Sequence, residues 1–348
     1  MKSIHLLAFA TLFGAAPGSA QEASPDLPYT MTGSVALPST DTGWDYVKFE
    51  PGSARLFMGR LKDGLTVYDV DKGATVKTME NSVGANGPVL LPQYNRGYVA
   101  MDDGSLLSFD LKTLKLIART PLATDGGLNS GSLDPATGRL HVITGTRPSE
   151  ATWFSIDPAT GKLLATTRFP FRKMDDPAAD GKGYLYAPAR LDGIVLKLDS
   201  RTLKEQARWE AGCNVSKMKY LAATNRLLGA CTGDKPAVFL MDPADGRILS
   251  RVTIGKGLDA LAYDEVRERI ISSNYEGSMT VIAREGDNLR VVATVRTQFG
   301  ARMMDLDHRN GRIYLVNADS TVFPGKDSGD EVTRYHPDSF RVETWQPN

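Results

Sequence analysis

Three aspartates, an asparagine and an arginine occupy one recurring position in this chain. Asp45, Asn129, Asp175, Asp259 and Arg302 each stand five residues ahead of an acidic turn residue: Glu50, Asp134, Asp180, Asp264 and Asp307. Gly87 holds the same place ahead of Pro92, and Ser216 or Lys217 ahead of the shorter turn at Ala223. Brought to one opening, like charges of this kind would repel. Either a cation sits among Asp45, Asn129, Asp175 and Asp259, or Arg302 and Lys217 neutralise them internally. An all-oxygen donor set of this type suits Ca²⁺ or Mg²⁺ rather than zinc. A second group, Arg60, Arg147, Arg190, Asn274, Tyr275 and Asp319, falls on loops that would surround the same opening. Arginines beside acceptors can receive a carboxylate or phosphate bidentately. Trp44, next to Asp45, is the one tryptophan placed to reach such a site.

Other chemistries fail on residue supply. His141 lies within a strand, and His308 and His336 lie in turns expected on the face away from the opening, so a histidine-based triad or zinc site is not expected. Asp69-Val70-Asp71-Lys72-Gly73 begins like a calcium loop but lacks the later ligands, and reads as a turn. No glycine-rich phosphate loop joins a strand to a helix. Lys and Arg together number 41 and Asp and Glu 41, a balance that argues against a broad nucleic-acid-binding surface.

The elements that must position these residues repeat. Asp134-Pro135-Ala136-Thr137-Gly138-Arg139-Leu140 returns as Asp157-Pro158-Ala159-Thr160-Gly161-Lys162-Leu163, each between runs rich in Val, Ile, Leu and Phe. Proline presets φ, the aspartate side chain bonds the backbone two residues on, and glycine supplies positive φ, so each septet is a hairpin turn. Aligned on that turn, seven units follow one another at a period of about 43 residues. A second landmark, the end of each third strand, falls at Asp69, Asp110, Asp157, Asp199, Asp242, Ala283 and His336. Short alternating strands at this period predict an all-β fold, a seven-bladed β-propeller of four-stranded antiparallel blades. A closed ring removes the apolar face that an open array would leave at each end. Tyr29 to Pro38 is expected to pair beside Phe340 to Trp345 and close the ring. The last unit carries about ten extra residues, 318–330, between its second and third strands, expected on the face of the opening and suited to a lid or partner contact.

Lys2, the apolar run Ile4 to Ala16 and the small residues Gly18-Ser19-Ala20 have the layout of a cleavable signal peptide over 1–20. Cleavage near Ala20 would leave a single propeller domain, 21–348, in the periplasm or secreted, with no membrane span. Cys213 and Cys231 are then expected to form a disulfide acting as a staple, since they lie near the same end of neighbouring strands and lack Cys-x-x-Cys spacing.

Gly257-Leu258-Asp259-Ala260-Leu261-Ala262-Tyr263-Asp264, the strands Ile270-Ile271-Ser272-Ser273-Asn274 and Ser278-Met279-Thr280-Val281-Ile282, and Asp307-His308-Arg309-Asn310-Gly311-Arg312-Ile313-Tyr314-Leu315-Val316 resemble the YVTN-type repeat. The mature chain is similar to the exported YncE-like seven-bladed propellers. The tetrad itself is degenerate, as Ile271-Ser272-Ser273-Asn274 and Tyr314-Leu315-Val316-Asn317. The resemblance implies a binding or scaffold propeller that meets a small ligand or another periplasmic protein through its channel mouth. Asp45, Asn129, Asp175, Asp259, Arg302, Arg60, Arg190 and Trp44 are the residues expected there. Two alternatives stay open. One is a divalent-metal-dependent hydrolase, since the regucalcin/gluconolactonase propellers use a similar acidic and amide ring. The other is a non-catalytic propeller subunit of a quinoprotein-like dehydrogenase complex.

Overall fold

The computed structural model describes residues 27–324 and 331–348. The expected signal segment, its cleavage site and the tip of the 318–330 insertion lie outside the described residues. Seven four-stranded antiparallel sheets are arranged as a β-propeller. After β1 (Tyr29–Ala36), the first blade holds β2 to β5 (Trp44–Phe49, Arg55–Arg60, Gly64–Asp69, Ala74–Thr78). The second holds β6 to β9 (Ala85–Leu91, Arg96–Met101, Ser105–Asp110, Leu116–Pro121) and the third β10 to β13 (Leu128–Asp134, Arg139–Thr144, Ala151–Ile156, Leu163–Phe169). The fourth holds β14 to β17 (Ala178–Ala179, Tyr184–Ala189, Ile194–Asp199, Glu205–Glu210) and the fifth β18 to β21 (Asn214–Leu221, Arg226–Thr232, Ala237–Met241, Ile248–Thr253). The sixth holds β22 to β25 (Leu258–Asp264, Arg269–Asn274, Ser278–Glu285, Asn288–Arg296). The last run is β26 to β30 (Met303–Asp307, Arg312–Asn317, Ser320–Pro324, Glu331–Tyr335, Arg341–Pro347).

Each blade folds because strand and turn signals agree. The second and third strands are almost wholly buried, whereas the outermost strands β5, β9 and β13 are largely exposed. The septet turns form as their chemistry dictates: Asp134 Oδ1 accepts from Ala136 N at 3.0 Å, and Gly138 has φ of +68°. The apolar core is a ring of blade interfaces. Phe57 and Leu65 of the first blade meet Val99 and Phe109 of the second, and Trp153 of the third meets Leu185 and Leu196 of the fourth. The largest cluster joins the sixth, seventh and first blades through Val281, Leu315, Phe340, Trp44 and Met58. No helix among the described residues is long and apolar enough to cross a membrane.

Ring closure joins the chain ends, as expected: the seventh blade runs β26-β27-β30-β1, with Met31 opposite Trp345 and Val35 opposite Val342. The expected third strand of that blade is corrected. Ser320–Pro324 and Glu331–Tyr335 do not enter the blade; β29 pairs with β28 as a separate two-stranded hairpin, and β30 takes the third place. His336 follows that hairpin and so lies on the side where first strands begin, not on the opposite face. Its backbone N–H donates to Asp319 O at 2.8 Å, and the neighbouring Asp338 bonds Ser39, just ahead of β2. The disulfide Cys213–Cys231 is present, its Cα atoms 5.8 Å apart, at the same end of the β18–β19 pair.

Candidate functional site at the channel mouth

The innermost strands share one irregularity. β2, β6, β10, β18 and β22 each break register at the same level, leaving Asp45 with Tyr46, and then Asn86, Asn129, Ser216 and Asp259, outside the ladder. A bulge of this kind re-aims side chains, here toward the axis. In five blades a glycine stands two residues ahead of the channel residue: Gly43, Gly84, Gly127, Gly257 and Gly300. At Gly84, Gly127, Gly257 and Gly300 glycine is required by space or by φ. A Cβ on Gly127 would stand 2.7 Å from Asp102 O, and Gly257 has φ of +74°. The level is therefore Asp45, Asn86, Asn129, Asp175, Ser216, Asp259 and Arg302. Asn86 replaces the expected Gly87, because Leu91, not Pro92, pairs with Arg96 across the turn. Ser216, not Lys217, is the bulged residue of the fifth blade.

Below this level the channel is crossed by a side chain the sequence did not single out. Tyr46 reaches from the first blade to the third, where Asn129 Nδ2 donates to its phenol oxygen at 3.1 Å. Lys217 of the fifth blade sets its Nζ 4.5 Å from the centre of the same ring. Asn129 also faces Ser130 Oγ at 3.3 Å and Asp175 Oδ1 at 3.4 Å. A narrow cavity of about 70 Å³ beside the phenol is lined by Tyr46, Asp259, Asp176, Lys217, Lys219 and Asp305 among others. Asp176 accepts from Ser130 Oγ. Burial holds Tyr46 well above the usual phenol range, helped by Asp176, Asp175 and Asp45, and burial also raises Asp176.

The mouth itself is a set of loosely matched charges. Burial first, and the nearby Asp259 second, push Asp45 up to about 7 against the pull of Lys217, Arg302 and Lys173. Four other blades thus act on one carboxyl group. Asp175, only 2% exposed, is shared by Lys173 Nζ at 3.3 Å and Arg190 Nη1 at 3.4 Å. Arg302 Nε lies 3.6 Å from Asp259 Oδ2, while its Nη2 donates to Trp44 O at 2.6 Å. Burial pulls Arg302 down, yet Asp259, Tyr335 and Asp45 leave it above its ordinary value.

The outer ring of expected residues divides. Arg60 is buried, bonding Pro38 O at 2.7 Å and pairing with Asp63, with its guanidinium 4.7 Å from the Phe340 ring centre. It fastens the first blade to the closure and is not available to a ligand. Trp44 is wholly buried between Tyr335 at 4.7 Å and Phe340 at 5.3 Å, so its indole is core rather than binding surface. Arg147 ties Gly126 O and Gly127 O to its own loop. Asn274 is buried against Ser278 and Thr280. Asp319 is engaged by Gln298 and Arg341. Arg190 alone of that group faces the mouth half-exposed. Tyr275 meets the β28–β29 hairpin, its phenol 3.1 Å from Thr333 Oγ1. Through Thr333 on Tyr275 of the sixth blade and Tyr335 on Trp44 of the first, the hairpin packs on the mouth side of the ring.

A divalent ion is a poor fit to these residues. Among the described residues no three His, Cys, Asp or Glu side chains gather so as to hold a metal ion. Asp175 already has two cations, Asp259 has Arg302, and Asn129 turns a donor, not an acceptor, toward Asp175 and Tyr46. Ion pairing of Asp175 and Asp259 with Lys173, Arg190 and Arg302 is the arrangement the side chains adopt.

No family model matches the sequence, and no curated protein matches it. Among solved structures, a chain in the crystal structure of the mitotic checkpoint complex is similar, with a TM-score of 0.71 and 12% identity, over 99% of this chain and 98% of that one. A likeness at that identity establishes the propeller fold alone.

Proposed function

We propose that this chain is an exported, YncE-like binding propeller that takes a small ligand at its channel mouth. One observation carries the reading. The mouth gathers partly solvated charged groups from five blades, beneath a hairpin that the repeat does not need, while Tyr46 closes the axis below them. Concave sites with a few convergent polar groups and a perturbed carboxyl are where ligands bind. The hydrolase alternative lacks the converging oxygen donors its ion would require. A protein-docking role, including that of a subunit in a dehydrogenase complex, draws support from the hairpin: Val322 is 36%, Phe323 42% and Val332 48% exposed.

The test is a small-molecule stability screen of the purified mature chain, followed by titration calorimetry on any compound that raises the melting temperature. Binding that is lost in Arg190→Gln supports the mouth; binding unchanged by substitutions at Arg190, Asp259 and Arg302 rejects it. Export is checked separately: the N-terminus of the protein recovered from the periplasm or medium should begin at Gln21.

A further inference from the structure

The repeat identifies its own exceptions. The position two residues ahead of the channel level is glycine in five blades, but Asn214 in the fifth and Lys173 in the fourth. The channel level is carboxylate, amide or hydroxyl in six blades, but Arg302 in the seventh. Lys173 and Arg302 each place a cation at the mouth. The carbonyl of Lys173 accepts from the backbone N–H of Arg190 at 3.0 Å; Gly43, Gly84, Gly127 and Gly257 receive the same bond from Leu61, Asp102, Gly145 and Tyr275. Arg190 is therefore a third cation, the only one among those five acceptor-paired positions.

We infer that the mouth holds a small organic carboxylate, received between the Lys173–Arg190 pair of the fourth blade and Arg302 of the seventh. This rests on the binding reading above and names the chemistry of its ligand. Charge balance decides the sign. At the mouth proper, Lys173, Arg190 and Arg302 face Asp45, Asp175 and Asp259, Lys217 being set against the Tyr46 ring and Asp176 below them, and Asp45 holds its proton through much of the acidic range up to about 7. With Asp45 protonated the surplus is positive, so an anion completes the site and a cation does not. Geometry points the same way. The mouth ion pairs are single contacts of 3.3 to 3.6 Å, and Arg302 Nε is buried with no hydrogen-bond partner among the described residues. A buried N–H of this kind costs free energy until an acceptor arrives. A guanidinium with donors in hand matches a planar carboxylate bidentately. Tyr275, and Tyr335 at the end of the hairpin, stand beside Arg302 and offer an aromatic wall for the remainder of the ligand.

Calorimetric titrations of the mature chain with succinate, citrate and benzoate, with the corresponding amides and inorganic phosphate as controls, test this directly. At least one carboxylate should bind with a Kd of about 1 mM or tighter, and its amide about tenfold more weakly or worse. Lys173→Gly, which restores the repeat, and Arg302→Gln should each weaken binding about tenfold. Arg309→Gln on the opposite face should leave it unchanged. Circular dichroism and melting confirm that each variant folds. Equal binding of acid and amide, binding of phosphate alone, or carboxylate binding that ignores both mouth variants overturns the inference. A neutral compound bound at the mouth with no carboxylate binding also overturns it while leaving the binding reading intact; absence of any mouth ligand removes both.

Discussion

The same residue type meets opposite conditions at the two ends of the innermost strands. At the turn end, Asp307 accepts from Arg309 N at 3.0 Å, Arg309 Nη2 at 2.7 Å and Asn310 Nδ2 at 3.0 Å. Burial alone would raise Asp307, yet these donors hold it below the usual carboxylate range. Glu50 is likewise clamped by Arg55 Nε at 2.5 Å and Nη2 at 2.6 Å, and Asp264 by the backbone and Arg267. At the mouth end, Asp45 and Asp259 make no hydrogen bond among the described residues, and Asp45 is pushed up to about 7. Saturated carboxylates hold turns together. Unsaturated ones are left with capacity for something else, at a cost in stability that a purely structural role does not explain.

The sharpest way to break this contrast is to remove one carboxylate from each end. Asp307→Ala should destabilise the fold by about 3 kcal/mol, since it strands buried donors from Arg309 and Asn310. Asp259→Ala should cost about 0.5 kcal/mol or less, its one ion pair being long and a quarter exposed. Urea denaturation of both variants checks the pair of values; equal losses would make the mouth as structural as the turns. A comparable effect belongs to the mouth-end staple. Replacing both Cys213 and Cys231 by alanine should cost about 3 kcal/mol for the closed loop of separation 18, read as a lower urea midpoint.

Much of this contrast was legible in the sequence, and its failures have physical causes. The period, the closure and the turn aspartates follow from local chemistry, because Asp-Pro-x-x-Gly makes a turn wherever it stands. Counting back from the turns found Asp45, Asn129, Asp175, Asp259 and Arg302. It slipped to Gly87 in the second blade because a short 3-10 turn, Pro92–Tyr94, starts one residue later than its strand pair Leu91–Arg96 implies. Gly84-Ala85-Asn86, read beside Gly43-Trp44-Asp45 and Gly127-Leu128-Asn129, carries the right register. The hairpin strand Glu331–Tyr335 was read as a blade strand because strand propensity specifies extension, not partner. Tyr46 was missed since a bulge puts two successive residues near the axis, against the alternation that a regular strand obeys, and Lys173 and Asp176 since they lie outside any strand. Whether Arg60 and Trp44 were core or surface depended on Tyr335 and Phe340, which are remote in sequence.

A smaller effect sharpens the comparison through pH. The folded-state value of Asp45, about 7, lies above the unfolded value near 4, so the folded chain keeps a proton that the unfolded chain has released. Its contribution to stability therefore falls as pH rises from about 4 to 7, the reverse of the Asp307 contribution, which is lost as pH falls below the usual carboxylate range. Asp45→Asn should remove the downward slope and stabilise the chain at pH 8 by an amount of order 1–2 kcal/mol once partial solvation is discounted. Urea midpoints of both proteins at pH 5, 6, 7 and 8 give the answer; parallel curves would mean Asp45 ionises normally.

The smallest effect concerns the boundary between the two ends. Tyr46→Phe keeps the ring that crosses the channel and the approach of Lys217, but removes the phenol oxygen that Asn129 reaches at 3.1 Å. Asn129 retains Ser130 Oγ and Asp175 Oδ1, so the loss should be about 0.5–1 kcal/mol rather than that of a stranded amide. Affinity at the mouth should hardly change, because the charged groups stand above the phenol and the ring still closes the axis beneath them. A weakening of mouth binding as large as that of Arg302→Gln would show instead that the phenol oxygen itself contacts the ligand, and that the site extends deeper along the axis than the level of Asp45, Asp259 and Arg302.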